Sequence, residues 1–212
     1  MFIRNPKRVP RARNVLSGSL LSMVLLFSAC KSSKPQDPQA AQAEMWYTGV
    51  PELNSVHAST AEVEDLSKAH DAGVSDPGCA TLLRLARSRK VPFADGQAIA
   101  DLMSAGSSEQ TVLELDRLNQ LGLYAGQAQA LRLAGFSDKI VLAVARRRSQ
   151  GLPVLSGEKL GDLKNSGASE AEILHMVETG ITDKQASEYV ALRERAAGGH
   201  GFVYQGHNHK RY

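Results

Sequence analysis

The side chains of this 212-residue chain that could do chemistry are few and scattered. His200, His207 and His209 stand among glycines beside Phe202, Tyr204 and Tyr212, and a His-x-His pair can hold a borderline metal weakly. Three such ligands without a fixed scaffold rarely close a site, so residues 198–212 are expected to be a flexible tail, with metal binding as the alternative. His70 and His175 lie in helical segments with no acid or cysteine at ligand spacing, which points to surface or satisfied-core roles. Glu62, Glu64 and Asp65, like Glu170 and Glu172, sit where helices begin, and the helix dipole already accounts for an acid there. Arg146, Arg147 and Arg148 close a helix, where a solvated cationic end is expected. Cys79, within "CATLLRL", reads as a buried thiol. There is no glycine-rich phosphate loop, nucleophile elbow or His-Glu-x-x-His phrase. The sequence therefore nominates no catalytic residue, no metal site and no cofactor, and an enzyme is the least favoured class.

The elements that would position any site are marked by a phrase that recurs five times: Gly73-Val-Ser-Asp, Gly106-Ser-Ser-Glu, Gly135-Phe-Ser-Asp, Gly167-Ala-Ser-Glu and Gly180-Ile-Thr-Asp. The first four phrases lie about 30 residues apart, and "VPFADGQAIADLMSAGSSEQTVLEL" is echoed by "LPVLSGEKLGDLKNSGASEAEILHM". Self-similarity at such a period is the mark of a repeated supersecondary unit.

The physics of the phrase is local. A glycine that ends an apolar helical pattern suits the left-handed position after a helix, and a Ser or Thr two residues later suits the N-cap of the next. Gly73, Gly106, Gly135, Gly167 and Gly180 are thus read as structural helix stops. Ser169 with Glu172 and Thr182 with Gln185 have capping-box spacing. A second set of breaks is expected at Gly122-Leu123 and Gly151-Leu152-Pro153. The periodicity predicts nine helices, near 60–71, 77–90, 94–105, 109–120, 124–133, 138–149, 156–165, 170–179 and 183–197. Helices this short need stacking to bury their apolar faces. The expected fold is all-α, made of stacked helical hairpins in a solenoid-like or compact array. These units resemble ones in uncharacterised exported bacterial proteins, a likeness that implies no activity.

The N-terminus sets the compartment. Arg4, Lys7, Arg8, Arg11 and Arg13 precede an apolar run from Val15 to Phe27, too short to span a bilayer and suited to an export signal. The run ends in Phe27-Ser28-Ala29-Cys30, which resembles the lipobox of bacterial lipoproteins although Phe27 stands where Leu is usual. The resemblance implies cleavage before Cys30 and acylation of that residue, so that the lipid bilayer becomes a partner. Lys31, not the Asp of inner-membrane retention, implies the outer membrane, facing the periplasm. Without the signal the charges are twenty basic against 22 acidic, which removes the argument for nucleic-acid binding.

The expected organisation is a signal peptide over 1–29, lipidated Cys30 with a flexible tether over 30–58, a helical repeat domain over 59–197 and the tail from 198. Trp46, the only tryptophan, is expected to pack on the first helices. The function expected is that of a non-enzymatic envelope lipoprotein, an interaction or structural module with a protein or envelope partner. The alternative is metal or small-molecule binding through the histidine-containing tail.

Overall fold

The computed structural model describes residues 37–198, and Cys30, the signal and His200, His207 and His209 lie outside them. Among the described residues there are eleven helices and no strand. They are α1 (Pro38–Gly49), α2 (Pro51–Asn54), α3 (Thr60–Asp71), α4 (Asp76–Ser88), α5 (Gly96–Ser104), α6 (Glu109–Arg117), α7 (Leu121–Leu133), α8 (Asp138–Ser149), α9 (Gly157–Asn165), α10 (Glu170–Thr179) and α11 (Asp183–Gly198).

Every substantial contact joins helices one or two apart in chain order. Even-numbered helices pack in one continuous layer from α2 to α10, and odd-numbered helices pack on one another from α1 to α7 and again as α9 with α11, an arrangement like that of a helical-hairpin stack. The core lies between the layers and holds Leu66, Leu82, Leu83, Ile99, Leu102, Leu115, Ile140 and Leu160, all fully buried. Each such side chain contributes about 1.5–3 kcal/mol on burial, more than short helices obtain from intrinsic propensity.

A left-handed residue stands at each of the eight turns from α3 to α11. Gly73, Gly106, Gly135 and Gly167 close odd helices, with φ of 104°, 87°, 77° and 81°. Gly180 (76°) instead joins an even helix to an odd one, in series with Lys90 (59°), Asn119 (54°) and Gly151 (68°). The break expected at Gly122-Leu123 is therefore displaced. Asn119 ends α6 and Gly122 lies inside α7, because asparagine tolerates the left-handed conformation that the sequence pattern had assigned to glycine.

The expected tether is also corrected. Residues 38–54 form α1 and α2, so the ordered chain begins well before 59. The Asp37 carboxylate accepts from Gln39 N and Pro38 occupies the first turn, a sound helix start. Packing then fixes the helix. Trp46 stacks on His70 with ring centroids 4.4 Å apart, and the Tyr47 hydroxyl donates to the carbonyl of Leu53 or Val56 and accepts from Ala58 N. Composition alone understated this segment because its apolar contribution rests on two aromatic residues.

Candidate functional site

Three sets of polar side chains carry what chemistry the stack offers, beginning with the acids of the repeated phrase. The N-cap serines of α4, α6 and α8 are each also reached by the first-turn acid of the next even helix, as Ser156 of α9 is by Asp183 of α11. Ser75 Oγ donates to Glu109 Oε1 at 2.7 Å and Ser75 N to Oε2 at 3.2 Å. Ser108 N donates to Asp138 Oδ2 at 3.0 Å, and Ser137 Oγ to Glu170 Oε1. In the last case the hydroxyl no longer caps α8, which has no side-chain cap bond. Expected as dipole partners of their own helices, these acids are the pegs between successive units. The series ends where Trp46 Nε1 donates to Asp76 Oδ1 at 3.0 Å, and where Ser169 closes a capping box with its own Glu172. Ser169 N and Oγ hold the Glu172 carboxyl down at about 2.

A second series satisfies the carbonyls left open at helix C-termini. Arg132 donates to Gly106 O at 2.6 Å, Lys164 to Ala134 O at 2.5 Å and Arg193 to Gly167 O. Arg147 does the same for Glu178 O at 3.0 Å, and Arg148 bonds Gln127 and lies over the Tyr124 ring. The expected solvated end Arg146-Arg147-Arg148 is thus corrected for Arg147, because a neighbouring helix end lies within its reach, while Arg146 and Arg148 stay exposed.

Third come two buried carboxylates. Glu62, only 6 % exposed, accepts from Arg87 at 2.5 and 2.9 Å, from Ser59 N and from Phe93 N. The Arg87 guanidinium holds its carboxyl far below the usual range. Asp116, 2 % exposed, accepts from Arg89 at 2.6 Å, but its Oδ2 has no partner among the described residues. Burial raises the pKa of Asp116 and of nearby Asp95.

Of the other candidates, Cys79 is fully buried, and desolvation pushes its thiol up to about 12, so it is an inert core group. His175 is exposed and far in chain order from His70, which is engaged with Trp46 and lies 3.4 Å from Asp76. No cluster of three or more His, Cys, Asp or Glu among the described residues is arranged to hold a metal.

One concave feature was not foreseen. A groove of about 710 Å³ runs between α1, α3 and the strap 92–94, with Trp46 and Phe93 among its apolar lining. Asp37, Glu64, Asp65 and Asp71 supply acid against the single lysine, Lys68. Its sequence signal was the unequal charge of α3 and the single tryptophan of α1, brought together by the intervening turn.

Compared with models of known families, with curated proteins and with solved structures, the chain matches none.

Proposed function

We propose that this protein is a non-enzymatic lipoprotein of the bacterial cell envelope, anchored through acylated Cys30, whose helical stack is an interaction or structural module. The observation that carries the reading is the use made of the repeated polar residues: Glu109, Asp138 and Glu170 bind the caps of preceding units. Side chains committed to holding units together are poorly placed to act on a substrate. The basic, then apolar, N-terminus and the phrase Phe27-Ser28-Ala29-Cys30 support the anchor, and Lys31 supports the outer membrane, facing the periplasm. No helix among the described residues is long and apolar enough to cross a membrane.

The test is expression in a bacterial host with radiolabelled palmitate. The native chain should incorporate label and enter the detergent phase, and Cys30→Ser should do neither. Equal behaviour of the two forms would overturn the anchor. The second reading, metal binding by the tail, rests on His200 with the His-x-His pair at His207 and His209. Titration of zinc, nickel and copper into the mature chain with and without residues 199–212 decides it, sub-micromolar binding dependent on the tail being the supporting result.

A further inference from the structure

The C-terminal turns of α4, α6 and α8 lie side by side. Arg89, just past α4, bonds the carbonyl and carboxylate of Asp116 near the end of α6, and Arg146 of α8 stands 3.6 Å from Glu114 in the last turn of α6. The edge they share is basic. Three of its cations are used inside the stack: Arg87 by Glu62, Arg89 by Asp116, and Arg147 by the carbonyls of Pro153 and Glu178. Four more, Lys90, Arg117, Arg146 and Arg148, are exposed. Arg117 and Arg146 share the single carboxylate of Glu114, at 3.4 and 3.6 Å. Arg148 has the Gln127 amide and the Tyr124 ring, and Lys90 forms no ion pair among the described residues. Of the odd helices that start beside these turns, α7 opens with no acid, Glu158 of α9 lies 3.6 Å from Lys159, and Asp95 before α5 is half-buried.

Helix dipoles favour a cation at a C-terminus, but they do not call for exposed apolar side chains beside it. Three of the six large exposed apolar side chains among the described residues stand at this edge. Val91 (45 % exposed) directly follows Lys90, and Leu152 (43 %) directly follows the left-handed Gly151. Leu123 (79 %) is in the first turn of α7, four residues before the Gln127 that Arg148 holds. Cations interspersed with aliphatic groups fit a surface that is anionic at its face and apolar beneath. The exposed side chains here include no aromatic ring on which a nucleic-acid base could stack.

We propose that the edge formed by the ends of α4, α6 and α8 and the start of α7 docks on an anionic phospholipid surface, as a second, non-covalent contact with the membrane. The contact rests on the envelope-lipoprotein reading for the presence of a bilayer. It does not require acylation of Cys30, so its failure leaves the palmitate result untouched, and the reverse also holds.

The test uses the mature chain carrying Cys30→Ser, which has no acyl anchor, floated with vesicles of phosphatidylglycerol and phosphatidylethanolamine or of phosphatidylcholine alone. Binding is expected to the anionic vesicles, lost at high salt, and absent from phosphatidylcholine. Lys90→Gln with Arg148→Gln should weaken it by about twentyfold at low salt, since each cation near an anionic surface is worth about fivefold. Lys139→Gln with Arg195→Gln makes the same change of charge at exposed positions away from this edge and should alter binding by less than about twofold. Leu123→Ser should weaken vesicle binding several-fold without changing the charge. An unchanged circular dichroism melt shows that each variant is folded. No binding to the anionic vesicles by the unaltered surface would overturn the proposal, whatever the variants do. Equal losses in the two double variants would overturn it as well, by showing that net charge and not this edge is read, as would a duplex oligonucleotide that displaces the vesicles and is indifferent to Leu123→Ser.

Discussion

Between α4 and α10 the same bonds recur at each step, serine cap to the next unit's acid, whereas around α1 and α3 the bonds are made by side chains that occur once. In the interior Glu109, Asp138 and Glu170 do equivalent work. At the N-terminal end an indole nitrogen of Trp46 takes the place of a serine on Asp76, and Glu62 gathers Arg87, Ser59 and Phe93 around one carboxylate. A stack built from identical joints presents an unfilled joint at each end and would add further units or copies there. The difference teaches that the repeat supplies adhesion while the unique residues supply termination. It also explains why the unbalanced groove lies at the end and not in the middle, where the first-turn acids of each unit are used by the one before.

The comparison can be broken most severely in the interior. Asp116→Ala leaves Arg89 without its carboxylate and should cost about 3 kcal/mol, read from urea unfolding. A loss near zero would mean that Arg89 swings into water and that the pair contributes nothing.

At the N-terminal end, Glu62→Gln should cost about 2 kcal/mol at pH 7, since it removes the charge that Arg87 and two backbone amides share. The folded-state pKa of Glu62 is depressed, so its stabilisation is complete above the unfolded value near 4.5 and is lost as pH falls below it. Melting of the native chain from pH 6 to 3 should therefore decline more steeply than that of Glu62→Gln.

Gly135→Ala should destabilise by about 1 kcal/mol, because alanine is strained at a φ of 77°. A raised melting temperature would show that the turn can relax.

The smallest effect sharpens the comparison. Glu170→Gln keeps an acceptor for Ser137 and should shift stability by no more than about 1 kcal/mol. A loss as large as that of Asp116→Ala would make the joints, and not the core, the main source of cohesion.

Much of this was legible in the residues themselves. Capping boxes at Ser169 and Thr182 form as their spacing predicts, with Glu172 and Gln185 returning to the caps. The cation series has a readable signal: Arg132 and Lys164 each stand three residues before a phrase glycine, at the position Met103 fills in the preceding unit. The helix of residues 38–49 is not legible in composition because a polar, alanine-rich segment is ordered by what Trp46 and Tyr47 touch.

What the sequence determined by itself was the helical class and the position of most turns. A left-handed residue, a capping hydroxyl and an acid act within five consecutive residues, so their consequences do not wait for the rest of the chain. What only the tertiary structure decided was the partner of each polar group: Ser75 with Glu109, Arg89 with Asp116, Trp46 with His70 and Asp76. Those pairings span roughly one repeat, and they exist because stacking sets helices about 10 Å apart, a distance that no local pattern encodes and that one arginine or glutamate side chain can bridge.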